Sequence, residues 1–152
     1  MTTKSLRNTK TFTVDQANAM LPLVRAITSD LVNMYRDVVE RRQRLKRLFG
    51  GRDPDSKDPY TDELVQIQEE LAKDVQKLEG FMDELRELRV ELKSPADGLI
   101  DFPSLLDGQP VYLCWQLGEP EVLHWHPIDE GFSARQPLPA AVGAGGSIGI
   151  DY

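Results

Sequence analysis

The residues best suited to chemistry in this chain lie close together, in the thirteen positions from Cys114 to His126. This stretch contains the only cysteine, both tryptophans and both histidines of the 152 residues. Imidazole and thiolate groups bind metal ions, and imidazole also transfers protons near neutral pH. A functional site is therefore expected in or beside this stretch.

The two histidines are spaced as metal ligands on a strand could be. His124 and His126 are two residues apart, so on a strand they share one face, with backbones about 7 Å apart. Two such imidazoles can converge on one divalent ion. Glu119 or Asp129 could add an oxygen ligand, and Cys114 a sulfur. The alternative is structural, with one histidine exposed and the other bonded to a carboxylate. No cofactor other than a divalent metal ion is indicated.

A second hypothesis is acid–base chemistry centred on His126. A carboxylate from Asp129 or Glu119 would orient its ring and hold the charged form. Arg135 could then bind an anionic substrate through its planar guanidinium group. The alternative is that Arg135 pairs with a nearby acid and has a structural role. Cys114 is expected to be a buried, inert thiol, because no cation stands near it in the sequence.

The overall charge narrows the range of partners. The net charge of −7 argues against nucleic-acid binding, which depends on excess lysine and arginine. One cysteine cannot form an internal disulfide, which favours a reducing compartment. No stretch has membrane-spanning length, and residues 1–10 lack the apolar core of a signal peptide. These features predict a cytoplasmic protein with neither a nucleic-acid nor a membrane partner.

The first half of the chain has the pattern of long helices. Thr13 and Gln16 form a capping-box pattern, and Pro22 predicts the end of a short first helix. A seven-residue apolar repeat then predicts a helix of about 28 residues. Its members are Val24, Leu31, Val38 and Leu45.

A second helix of about 34 residues is predicted after the loop that begins at Gly50. Leucines recur every seven residues, at Leu64, Leu71, Leu78, Leu85 and Leu92. The first long helix is mainly basic and the second mainly acidic, which favours side-by-side packing. Two such helices joined by a short loop predict an antiparallel, coiled-coil-like hairpin. Apolar residues outside the seam predict a homodimer with a four-helix arrangement.

After Pro95 the apolar residues no longer follow a helical repeat and instead recur at every second position. Asp107-Gly108 is a hairpin signal, and the flanking segments alternate in hydrophobicity. This predicts a three-stranded antiparallel β-module in which Trp115 and Trp125 pack as core residues. The whole is thus predicted to be α+β and mainly α. It divides into a hairpin over 12–93, a β-module over 94–138 packed on it, and a flexible tail over 139–152.

Three segments resemble a known bacterial family, DUF2203, over roughly residues 12–138. They read FTVDQANAMLPLV, DGLIDFPSLLDGQPVYLCWQLGEPEV and WHPIDEGFSARQPL. The resemblance implies a helical hairpin with a C-terminal β-module, and it implies no activity. Trp125, His126, Asp129 and Arg135 match the family pattern, whereas His124 departs from it.

Three functions remain open on the sequence alone. The leading hypothesis is a non-enzymatic, dimeric interaction or scaffold protein whose β-module contacts a protein partner. The alternative is a small metal-dependent or acid–base enzyme of hydrolase type. Its catalytic candidates are His126, Asp129 and Arg135. The third is a metal-binding module without turnover, with metal candidates His124, His126, Glu119 and Asp129.

Overall fold

A computed structural model describes residues 10–51, 53 and 57–139, which fold as two helices and one antiparallel sheet. Helix α1 spans Val14–Phe49 and helix α2 spans Pro59–Glu87. The strands are β1 Glu91–Ser94, β2 Leu99–Leu106, β3 Gln109–Gln116, β4 His124–Pro127 and β5 Gln136–Pro137. A short 3₁₀ helix, Phe132–Ala134, lies between β4 and β5.

Helix α1 is continuous, so the predicted short first helix is wrong. The capping box at Thr13 and Gln16 is present, with both reciprocal hydrogen bonds. The helix then continues through Pro22, although a proline inside a helix costs about 3 kcal/mol. Buried residues on both sides, Leu21 and Val24 among them, form one stripe against the core. Packing of that stripe outweighs the lost hydrogen bond, and the proline ring faces solvent.

Helix α2 begins as the sequence predicts but ends earlier. Asp58 accepts a hydrogen bond from the Thr61 N–H, and Pro59 occupies the first turn. The helix stops near Leu88, because Arg89 adopts a left-handed conformation with φ 67°. The Val90 N–H then bonds back to the Leu85 carbonyl. This reversal directs the chain into β1 rather than into a further helical turn.

The two helices run antiparallel. Arg41, late in α1, forms an ion pair with Asp74, and Leu45 clusters with the early α2 residues Leu64 and Leu71. At the other end, Leu31 of α1 and the later residues of α2 share the main core with the sheet. The finer prediction, a coiled coil, stays a prediction.

The sheet has five strands in the order β1-β2-β3-β4-β5, not the predicted three, and all neighbours are antiparallel. The three predicted strands correspond to β2, β3 and β4. The two additional strands are short edge strands of four and two residues, too short to give a clear alternation. The predicted tail lies, from residue 140 on, outside the described residues.

The two faces of the sheet have different environments. Ile100, Phe102, Leu113 and Trp115 face the helices and are fully buried in the main core. This confirms the prediction for Trp115, and Trp125 packs partly buried against the same core. Because strand side chains alternate, the opposite face carries Asp101, Tyr112, Cys114 and His126. Within the described residues, the helices include none long and apolar enough to cross a membrane.

Candidate functional site

The polar face of the sheet brings together three buried side chains of different chemistry. Asp101 on β2 is the cross-strand partner of Cys114 on β3. His126 on β4 is the partner of Tyr112, which lies two residues before Cys114 and so on the same face. The side chains of Asp101, Cys114 and His126 are almost completely buried. Their potential ligand atoms lie within 4.8 Å of one another.

A buried hydrogen-bonded pair, Asp101 and His126, is the centre of this cluster. Nε2 of His126 lies 2.8 Å from Oδ2 of Asp101, and Nδ1 lies 2.8 Å from the Pro127 carbonyl oxygen. A carbonyl oxygen only accepts hydrogen bonds, so Nδ1 carries a proton. A second proton must lie between Nε2 and Oδ2 for that contact to be a hydrogen bond. Burial raises the pKa of Asp101 above its ordinary value, although His126 opposes this effect.

Cys114 is held as a thiol rather than a thiolate. Burial, followed by the nearby Asp101 charge, raises its pKa to about 12. The order of these groups differs from that of a cysteine nucleophile, in which histidine contacts the sulfur. Here Nε2 of His126 contacts the Asp101 carboxylate instead, so the imidazole is not paired with the sulfur in that way. The predicted burial of Cys114 is confirmed, whereas its lack of reactivity stays a prediction.

Tyr112 and its partners form the wall next to the pair. The Tyr112 hydroxyl donates to Glu91, 2.9 Å away on β1. Burial, followed by this acidic neighbour, raises the pKa of Tyr112 above its ordinary value. The Lys93 ammonium lies 4.7 Å from the centre of the Tyr112 ring and also pairs with Glu91. The tyrosine ring lies 5.5 Å from the His126 ring, centre to centre.

A cavity of about 210 Å³ opens above the cluster. Its floor includes Asp101, Cys114 and His126, and its opposite wall is formed by residues between Ile128 and Phe132. These wall residues belong to the segment that connects β4 to β5. The buried polar groups therefore line a cavity beneath this segment and are not packed within the hydrophobic core.

The sequence matches a family described as "Uncharacterized conserved protein (DUF2203)" over residues 10–138. The chain belongs to the DUF2203 family. This confirms the resemblance seen in the three sequence segments and covers most of the chain. No curated protein matched this DUF2203 sequence, and no solved structure matched it either.

Cys114, the possible sulfur ligand in the sequence, lies beside His126, whereas the remaining predicted site residues of this DUF2203 protein are outside this cluster. Nη2 of Arg135 lies 2.8 Å from Nδ1 of His124 and 2.9 Å from Oε1 of Glu119. Desolvation opposes ionisation of Glu119, but bonds from Arg135 and the Gln116 N–H hold its pKa below the ordinary value. His124 and Glu119 are therefore engaged by an arginine. Asp129 is exposed in the turn after β4.

Asp101 and Tyr112 were not among the predicted site residues, although the sequence contains a signal for the first. The two-residue turn at Asp107 and Gly108 pairs Leu106 with Gln109. Counting outward from that pair places residue 101 opposite Cys114. A single carboxylate in the apolar run LIDF, facing the only cysteine, is the pattern that identifies the cluster. Tyr112 follows from the same register, two residues from Cys114 and on its face.

Proposed function

We propose that this DUF2203 protein binds one divalent transition-metal ion through Asp101, Cys114 and His126. The observation that carries the proposal is the convergence of three buried ligand atoms within 4.8 Å. Ligands of a tetrahedral zinc ion lie about 3.3–3.8 Å apart, given bonds of about 2.0–2.3 Å. Side-chain shifts of about 1 Å or less would bring the three atoms to such separations.

The orientation of His126 supports this assignment. Its Nδ1–H donates to the Pro127 carbonyl oxygen, which fixes the ring and directs Nε2 toward Asp101. Histidines that bind metal through one nitrogen usually donate the other N–H to a carbonyl or carboxylate. An ion would replace the proton shared by Nε2 and Asp101. It would also favour the thiolate form of Cys114, because coordinated thiols are deprotonated.

The ligand set indicates which ions fit. One nitrogen, one carboxylate oxygen and one sulfur suit zinc, cobalt or ferrous iron better than calcium or magnesium, which prefer oxygen ligands alone. Three protein ligands leave one position of a tetrahedral ion, and the cavity of about 210 Å³ lies beside the cluster.

Metal binding without turnover is better supported than acid–base catalysis. Both ring nitrogens of His126 already have partners, and a substrate at Nε2, unlike a metal ion bound by both groups, would leave the buried Asp101 without its hydrogen bond. Arg135 contacts His124 and Glu119 instead of lining the cavity with His126. The acid–base hypothesis required those groups to converge on one pocket.

Metal analysis of the full-length protein, prepared without a histidine tag, tests the proposal. After exposure to zinc and dialysis against buffer, the wild type is expected to retain one zinc per chain. Cys114→Ser and His126→Ala are expected to lose most of it, whereas His124→Ala should retain it. Folding of each variant is checked by circular dichroism. Absence of stoichiometric zinc from the folded wild type would reject the site. Loss of zinc from His124→Ala alone would favour a metal site that includes His124.

A dimeric interaction role is the second candidate, and it concerns the helices. At the end of the hairpin away from the sheet, Leu48, Tyr60 and Ile67 are exposed. A groove of about 440 Å³ between the helices there has an apolar floor that includes Leu45 and Leu71. These features support the predicted homodimer. Light scattering of the full chain tests it, and a monomer at high micromolar concentration would exclude it.

A further inference from the structure

The segment from Ile128 to Ala134 covers the cavity but is weakly attached to the sheet. Its backbone hydrogen bonds are local: Glu130 N–H to the Pro127 carbonyl, and Ala134 N–H to the Gly131 carbonyl. Phe132 lines the cavity, yet it remains 41 % exposed to solvent. Such a segment has few buried contacts, which is the property of regions that open locally.

Arg135 joins this segment to the sheet. Its side chain is 13 % exposed, and Nη2 lies within hydrogen-bonding distance of Glu119, His124 and, at 3.4 Å, the Cys114 carbonyl oxygen. Its guanidinium group also lies over the Phe132 ring, 4.6 Å from the centre. One side chain thus contacts β3, the β3–β4 loop, β4 and the covering segment itself.

The contact between Arg135 and Glu119 is suited to hold the covering segment closed over the cavity. The Glu119 carboxylate also accepts a hydrogen bond from the Gln116 N–H, which fixes it at the end of β3. A charge-assisted hydrogen bond between partly buried groups is stronger than one between neutral groups. The closed position of the segment is therefore maintained from outside the cavity.

We propose that residues 128–134 form a gate over the Asp101–Cys114–His126 cavity and that Arg135 is the positioning residue that keeps the gate closed. The inference builds on the proposed metal site, because the gate would set how fast an ion enters and leaves. Opening itself can be measured without any metal. Failure of the gate and failure of the metal site are therefore distinguishable.

Reaction of Cys114 with iodoacetamide in the metal-free, native full chain measures gate opening. Cys114 is the only cysteine, is fully buried, and lies at the cavity floor. Arg135→Gln is expected to raise the reaction rate at least about tenfold, the change that loss of one charge-assisted hydrogen bond produces in an opening equilibrium. Arg135→Lys, which keeps the charge but loses the planar fork, should also raise it.

Arg25→Gln is the matched control. Arg25 also donates to a loop carbonyl, that of Pro120, but from helix α1. This substitution should leave the rate of Cys114 alkylation close to that of the wild type. If Arg25→Gln raises the rate as much as Arg135→Gln, general loosening of the fold explains the effect and the gate is rejected.

The dependence on urea separates gate opening from unfolding. Local opening exposes little surface, so the rate in Arg135→Gln should hardly change at low urea, whereas a rate set by global unfolding rises steeply. An unchanged rate in both Arg135 variants, or a steep urea dependence, would overturn the proposal. Where the metal site holds, removal of zinc by a chelator should accelerate in the same variants while the stoichiometry stays at one.

Discussion

Nε2 of His126 lies 2.8 Å from Oδ2 of Asp101, although the two residues belong to strands separated by β3. Both side chains therefore extend over the central strand and meet above Cys114. A carboxylate and an imidazole are rarely buried this deeply unless each satisfies the other. The pair joins β2 to β4 across β3 and forms part of the floor of the cavity.

Removing either member of this pair should destabilise the fold strongly. Asp101→Ala and His126→Ala are each expected to lower the free energy of unfolding by about 3 kcal/mol or more. Each substitution leaves the other buried polar group without its hydrogen-bond partner. The double variant should lose less than the sum, with a coupling energy of at least about 1 kcal/mol. Urea unfolding of the metal-free proteins measures this. Additivity within about 0.5 kcal/mol would mean that the two groups do not interact.

Two glycines should respond in opposite directions to the same substitution. Gly98 has φ 68°, and an added Cβ would lie 2.7 Å from the Leu117 Cβ. Gly98→Ala should therefore lower the free energy of unfolding by about 2 kcal/mol. Gly80, inside the last third of α2, has open space around it, so Gly80→Ala should raise the free energy of unfolding by about 1 kcal/mol. Thermal unfolding tests both. Stabilisation by Gly98→Ala would contradict the crowded environment of Gly98, and destabilisation by Gly80→Ala would contradict the open space around Gly80.

The fold can be predicted from the sequence where a turn signal and the surrounding hydrophobic alternation indicate the same strand pairing. The Asp107-Gly108 turn has positive φ at both positions, as a two-residue hairpin requires, and the alternation around it predicts β2 and β3. The end of α2 could not be predicted in the same way. Arg89 adopts a left-handed conformation that glycine usually provides, and the sequence has no glycine there, so the leucine repeat predicts a helix as far as Leu92.

That Arg135 pairs with a nearby acid was one of the alternatives from the sequence and is confirmed, but the sequence did not indicate which acid. Its contacts with Glu119 and His124 join residues 16 and 11 positions apart, through a segment with no regular pattern. Pro22 shows the opposite error, in which a strong local signal was overruled by tertiary packing. Local rules place the strands and caps, whereas long-range contacts decide which polar groups meet.

Substitution of Pro22 tests whether tertiary packing outweighs the cost of a proline inside α1. Pro22→Ala restores an N–H that can donate to the Asn18 carbonyl without removing any core contact, because the proline side chain is exposed. The free energy of unfolding should rise by about 1 kcal/mol or more. Chemical denaturation measures the change. A fall in stability would indicate that the proline ring has a packing role.

The Glu119–Arg135 contact should make stability sensitive to acid. The pKa of Glu119 is lower in the folded protein than its ordinary value of 4.5. Its contribution is therefore fully present above that value and is lost as the pH falls through the folded pKa. Wild type should exceed Glu119→Gln in free energy of unfolding by about 1 kcal/mol at pH 7.

Unfolding of both proteins between pH 7 and pH 3 tests this relation. The difference between them should shrink on acidification, because protonated Glu119 resembles glutamine. Comparison of the two proteins cancels the titration of the other carboxyl groups. A difference that is constant over this range, or that grows in acid, would contradict the lowered pKa.

Cobalt(II) titration is the most direct test of the metal site, because its spectrum reports the sulfur ligand itself. The untagged wild type should develop a sulfur-to-cobalt charge-transfer band that saturates at one cobalt per chain. The band should be absent in Cys114→Ser and greatly reduced in His126→Ala, but present in His124→Ala and Asp129→Ala. A folded wild type without this band, or a band that survives in Cys114→Ser, would contradict metal binding by Asp101, Cys114 and His126.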